Sequence, residues 1–175
     1  GVPSGVTLNI EAPEITLDKT STSAAVYIPS SKVGDTINIR NFSTFTIDTS
    51  NGFHPSNNGY NYGLEGNGIR NLGVDSTVNI IGNADSEVNI TATQNAVYTQ
   101  SDSATININA HNVTIKSLGV DEGNGEYRGN AIVSRGGVID IDATGEIVID
   151  AAMNNNVVKS IFHSSYLVKK CCTTM

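Results

Sequence analysis

ATININAHNVTIKS, residues Ala104 to Ser117, alternates apolar and polar side chains twice within fourteen positions. Ile106 and Ile108 fall on one side with Asn107 between them, Ala110 is a small residue at a bend, and Val113 and Ile115 resume the alternation around Thr114. Period-two patterning of this kind predicts two short strands joined by a tight corner. The same grammar recurs at Thr7 to Leu17, Thr36 to Ile47, Thr77 to Ile90 and Val138 to Ile149. The chain is therefore read as a repeat protein.

Each unit extends to a third strand marked by a small or polar residue and an apolar pair: Ala25-Val26-Tyr27, Gly68-Ile69, Ala96-Val97-Tyr98, Ala131-Ile132-Val133 and Asn156-Val157-Val158. Units start at Leu8, Ile37, Val78, Ile106 and Ile139, about 28 residues apart after units one and three and farther apart after units two and four. A coil of three strands per turn stacks like residue on like residue, with neighbouring turns about 4.8 Å apart. The expected fold class is all-β, a parallel β-helix or solenoid of about five three-strand turns over residues 1–158. Its interior columns are Leu8, Ile37, Val78, Ile106 and Ile139, then Ile10, Ile39, Ile80, Ile108 and Ile141. Outside, Asn9, Asn38, Asn79, Asn107 and Asp140 form a polar ladder, and Ala12, Gly82, Ala110 and Ala143 mark the first corner with Asn41 as the exception. An antiparallel sandwich also has many short strands, but it does not predict recurrence of the same residue types in the same order. Residues 159–175 abandon the grammar and are expected to form an irregular or disordered tail, or a cap built on Ile161, Phe162, Tyr166 and Leu167.

Composition sets bounds on partners. The 175 residues carry a net charge of −7 and only 15% charged side chains, which provides no basic stripe for nucleic acid. No apolar run approaches the roughly 20 residues needed to cross a bilayer, so direct membrane insertion of this segment is not expected. Cys171 and Cys172 are the only cysteines, adjacent and too close to act as a zinc pair, and the repeats themselves hold no thiol. With neither an initiator Met nor a signal peptide at Gly1, the sequence is expected to be a fragment or mature segment of something longer.

The Thr-apolar-Asn-apolar, small corner, apolar-x-apolar grammar between Val6 and Val158 resembles the β-helical passenger repeats of bacterial type V secreted proteins, the autotransporter and filamentous-haemagglutinin-like adhesins. The resemblance implies a right-handed parallel β-helix, secreted and held at the bacterial cell surface by a parent attached to the outer membrane, and often an adhesin stalk. The sequence departs from such passengers in its Cys-Cys ending and in lacking a C-terminal membrane barrel.

Chemistry is expected where the coil is interrupted. The long units carry insertions at the same place, between strands two and three: Thr49 to Gly66 and Leu118 to Gly129. Their Tyr and Asn content suits stacking and amide hydrogen bonds to a glycan or a host or partner protein. Tyr60, Tyr62, Tyr127 and Arg128 are the candidate recognition patch; the rival reading is a pair of solvated loops that bind nothing. Asp121 to Glu126 lacks both the EF-hand alternation and the calcium-binding nonapeptide, so no metal or cofactor is assigned. A carbohydrate-active lyase or hydrolase needs converging carboxylates. Asp140 and Asp142, Asp150, and the stacked Asp18 and Asp48 look instead like solvated edges, and Arg40 beside Glu11 like ordinary cross-turn pairing. His54, His111 and His163 have no second ligand at metal spacing. The expected function is a non-enzymatic adhesin or stalk; the alternatives are a carbohydrate-active enzyme domain and a purely structural spacer.

Overall fold

A computed structural model of the chain describes residues 5–18, 24–50, 66–121, 127–151, 158–160 and 165–170. The protein is a parallel β-helix in which the repeats stack as coils. Strands β1 (Thr7–Glu11), β2 (Glu14–Asp18) and β3 (Val26–Ile28) make the first coil, and β4 (Thr36–Arg40), β5 (Thr44–Thr49) and β6 (Ile69–Asn71) the second. The third coil is β7 (Thr77–Ile81), β8 (Glu87–Ala92) and β9 (Val97–Thr99). The fourth is β10 (Thr105–Ala110) and β11 (Asn112–Ser117), then a hairpin of β12 (Val120–Asp121) with β13 (Tyr127–Arg128), then β14 (Ile132–Ser134). The fifth is β15 (Val138–Ala143), β16 (Ile147–Ala151) and β17 (Val158–Ser160), and β18 (Ser165–Lys170) follows.

Three parallel sheets run the length of the coil: β1-β4-β7-β10-β15-β18, β2-β5-β8-β11-β16 and β3-β6-β9-β14-β17. The register matches the repeat grammar residue for residue in the first two sheets. Leu8 pairs with Ile37, Ile37 with Val78, Val78 with Ile106 and Ile106 with Ile139, although Leu8, on the terminal strand, is exposed rather than interior. Side chains alternate faces along a strand, so this register drives Ile39, Ile80, Ile108 and Ile141 into one buried column. Phe45, Val88 and Val113, with Ile47, Ile90 and Ile115, line the second sheet's inner face. Each such fully buried side chain contributes about 1.5–3 kcal/mol relative to an exposed one.

The outer ladder on the first sheet is a chain of amide hydrogen bonds. Asn38 Nδ2 donates to Asn9 Oδ1 at 2.9 Å, Asn79 Nδ2 to Asn38 Oδ1 at 2.9 Å, and Asn107 Nδ2 to Asn79 Oδ1 at 2.8 Å. Arg40 Nε lies 3.9 Å from Glu11 Oε1, the cross-turn pair anticipated from the register. At the first corner Asn41 adopts a φ of 59°, a left-handed conformation that Asn tolerates better than most residues. Beside it Phe42 turns inward, fully buried, with its ring centroid 5.6 Å from that of Phe45. A side chain at Gly82, on the corner of the next coil, would collide with Phe42 and Ser86, so glycine there makes room for the ring.

Two expectations are corrected. The segment after 158 is not wholly irregular: β17 extends the third sheet, and β18 pairs along its whole length with β15, placing Tyr166 against Ile139 and Val168 against Ile141. Parity is preserved there although the Thr-apolar-Asn-apolar wording is lost, and parity is what a parallel ladder requires. In the fifth coil Val158 pairs with Ile132, so the third strand sits one residue later than Asn156-Val157-Val158 implied.

Candidate functional site

The third sheet is built differently from the other two. Its strands hold three residues each, so the inner face has room for one apolar column, Val26, Ile69, Val97 and Ile132, all buried. The next inward column begins with Ile28 and turns polar at Asn71, Thr99 and Ser134. These groups are satisfied by the turns that follow and by neighbouring coils. Asn71 Nδ2 donates to the carbonyls of Ser76 at 2.8 Å and Thr105 at 3.0 Å, while Asn71 Oδ1 accepts from Gly73 N at 3.1 Å. Thr99 Oγ1 donates to Ser134 Oγ at 3.2 Å, and Ser134 Oγ donates to the Gly136 carbonyl at 3.2 Å.

The outward column of this sheet is Tyr27, Arg70, Tyr98 and Val133 in register. A sheet's outer face is ordinarily wet, yet Arg70, Tyr98 and Val133 are only 9%, 6% and 3% exposed. The Arg70 guanidinium carbon lies 5.0 Å from the Tyr98 ring centroid and that of the exposed Arg135 lies 5.9 Å from it, so two cations address one aromatic ring. Tyr98 itself is anchored by its hydroxyl, which donates to Gln100 Oε1 at 3.0 Å. Burial lowers the Arg70 pKa, opposed by Tyr98 and Tyr27 and reinforced by Arg135.

Both insertions enter this sheet, on either side of β9. The first leads into β6, which carries Arg70, and the second into β14, which carries Val133. Each re-enters the coil through a glycine at positive φ, Gly66 at 67° and Gly129 at 146°. A Cβ at Gly66 would approach Thr93 Oγ1 to 2.8 Å, and one at Gly129 would approach Ser117 Oγ to 2.6 Å, so both roots need glycine for conformation and for space. A second asparagine ladder fastens them: Asn95 Nδ2 donates to Asn67 Oδ1 at 3.3 Å, and Asn130 Nδ2 to Asn95 Oδ1 at 3.1 Å. With one coil between them, the roots stand about 10 Å apart.

Of the sequence candidates, Tyr60 and Tyr62 lie outside the described residues. Tyr127 and Arg128 form β13, whose backbone pairs antiparallel with β12, Asp121 opposite Tyr127 and Val120 opposite Arg128. The side chains of all four candidates lie outside the described residues. Asp18, Asp48, Thr91, Lys116 and Asp150 make one outward column of the second sheet, and Asp140 and Asp142 stand two residues apart on β15. His111 is half-buried at the fourth coil's first corner, with Nδ1 2.8 Å from Thr144 Oγ1. Among the described residues no cluster of three His, Cys, Asp or Glu side chains is placed to hold a metal ion. Sequence reasoning passed over Arg70 and the ladder through Asn67, Asn95 and Asn130. A signal for the ladder was present: an Asn stands two residues before the inward residue of the third strand in coils two, three and four. No protein-family model, curated protein or solved structure matches the chain.

Proposed function

We propose that this chain is a β-helical passenger segment of a secreted, surface-displayed bacterial protein, a stiff stalk that holds recognition loops away from the membrane and adheres through them to a glycan or a host protein. The observation that carries the reading is the common origin of the two insertions. Both leave the coil at one corner, are anchored by positive-φ glycines and one asparagine ladder, and flank a single strand. A fold that needed only length would have no use for two long departures clamped side by side at one edge, whereas a binding surface gains from loops on rigid roots. The stacked apolar columns and the amide ladder supply the stiffness, since each coil is held by the coils on either side of it.

The test is adhesion. The intact protein is applied to a glycan array and to host cells beside a variant in which residues 51–65 and 119–128 are each replaced by a short glycine-containing turn. The variant is expected to keep its melting temperature within a few degrees and to lose binding. Binding that survives both deletions removes the loops from the recognition surface and leaves the coil as a spacer.

A further inference from the structure

Arg70 stands on a rigid strand rather than in a loop, is nine-tenths buried, and keeps Nε and Nη1 buried without a hydrogen-bond partner. A guanidinium stays protonated at any pH a fold of this kind survives, so its burial is not relieved by neutralisation. Among the described residues the ionisable groups acting on it are Tyr98, Tyr27 and Arg135, and no carboxylate is one of them. Tyr98, through its ring and its hydroxyl, offsets part of the desolvation cost, but Nε and Nη1 keep no hydrogen-bond partner. The outer face of the third sheet therefore holds a preorganised cation with no counter-ion among the described residues.

We infer that Arg70, assisted by Arg135 at the same Tyr98 ring, forms an acid-recognising subsite that takes the carboxylate of a single acidic sugar within an otherwise neutral glycan. The planar guanidinium fork matches a carboxylate in shape and charge. Tyr27, half-buried and next in the column, offers an aromatic face beside the charge on which a sugar ring can stack. A single acid is favoured over a polyanion because the chain carries a net charge of −7, which repels dense negative charge while leaving a local pair within the Debye length of about 8 Å unaffected. The inference rests on the reading of this edge as a recognition surface and names what part of that surface would read.

The probes are a tetrasaccharide bearing one glucuronate, the methyl ester of the same tetrasaccharide, and sodium sulfate, titrated calorimetrically into the full chain with melting temperature as a second readout. The acid form is expected to bind at least tenfold more tightly than the ester and to raise the melting temperature. R70M is expected to lose at least tenfold in affinity while melting, without ligand, at or above the wild type, because an uncompensated charge has been removed. R135M changes an exposed residue, leaves the fold intact and is expected to weaken binding more modestly. Equal binding of acid and ester, or none of either, overturns the inference. So does sulfate competing as well as the acidic sugar, which marks a simple anion site, and so does R70M melting far below the wild type with no ligand effect, which marks an internal counter-ion. Failure of the parent reading looks different: the loop-shortened variant then still adheres to cells. Adhesion lost with the loops but indifferent to R70M keeps the adhesin and removes the subsite.

Discussion

The first and third sheets belong to the same coils, yet their two faces are organised in opposite ways. In the first sheet the inner face is apolar and the outer face is an exposed or half-buried amide ladder. In the third sheet polar Asn71, Thr99 and Ser134 point inward, and Arg70, Tyr98 and Val133 are buried on the outside. Five- and six-residue strands bury two apolar columns and need nothing else; three-residue strands bury one and rely on hydrogen bonds to the adjoining turn. The long strands make the rod. The short ones, less committed to core packing, are where the chain departs from regularity and where both insertions arrive.

The comparison predicts first that the corner beside the first sheet is where a single truncation costs most. Phe42→Ala empties a fully buried ring site against Phe45 and is expected to destabilise by about 3–5 kcal/mol in urea denaturation. Ile81→Ala, on the exposed side of β7, is expected to stay within about 0.5 kcal/mol. Comparable losses at both positions would mean that the corner is not packed as described.

Next, two asparagines doing different work separate the sheets. Asn71→Ala orphans buried backbone groups in the turn around Gly73 and Ser76 and is expected to cost about 1–3 kcal/mol. Asn38→Ala interrupts the outer ladder where water can replace the lost bonds and is expected to cost about 0.5 kcal/mol. Equal costs would erase the distinction between a structural polar core and a solvated ladder.

The ladder also has a defect that substitution should repair. Each Nδ2 donates to the Oδ1 of the coil before it, but the residue in register with Asn107 is Asp140, an acceptor only, and its Oδ1 is buried without a partner. Asp140→Asn restores the donor and is expected to stabilise by about 0.5–1.5 kcal/mol, read as a rise in the urea midpoint at unchanged slope. No gain would show that the amide chain is not continuous at that coil.

These contrasts also explain how much was legible in the sequence. The columns of the first two sheets could be read because two inward apolar residues per strand fix parity twice, and the ladder recurred with a constant letter between them. The third sheet shows one inward apolar residue per strand, so in the fifth coil Val157 and Val158 were interchangeable on paper and the strand was placed one residue early. β18 was missed because Tyr166 and Val168 keep the parity of Ile139 and Ile141 with none of their wording. Arg70 was invisible for a physical reason: an arginine between Ile69 and Asn71 reads as an ordinary outward residue, and only the fold buries its outward face.

The smallest expected effect lies on the second sheet, the regular neighbour of the first. Asp18 and Asp48 are directly opposed on adjacent strands, and like charges so placed repel. Asp48 is held in position by accepting the Ser50 amide proton at 2.9 Å, whereas Asp18 is exposed at the edge strand. Asp18→Lys converts the repulsion to attraction and is expected to raise stability by a few tenths of a kcal/mol at low salt, the exposed pair being well screened. The gain should shrink toward zero at 1 M salt, where the screening length falls to about 3 Å. A gain that persists at high salt would have to come from packing of the lysine stem along the sheet rather than from charge, and the second sheet's outer face would then resemble the third more than the first.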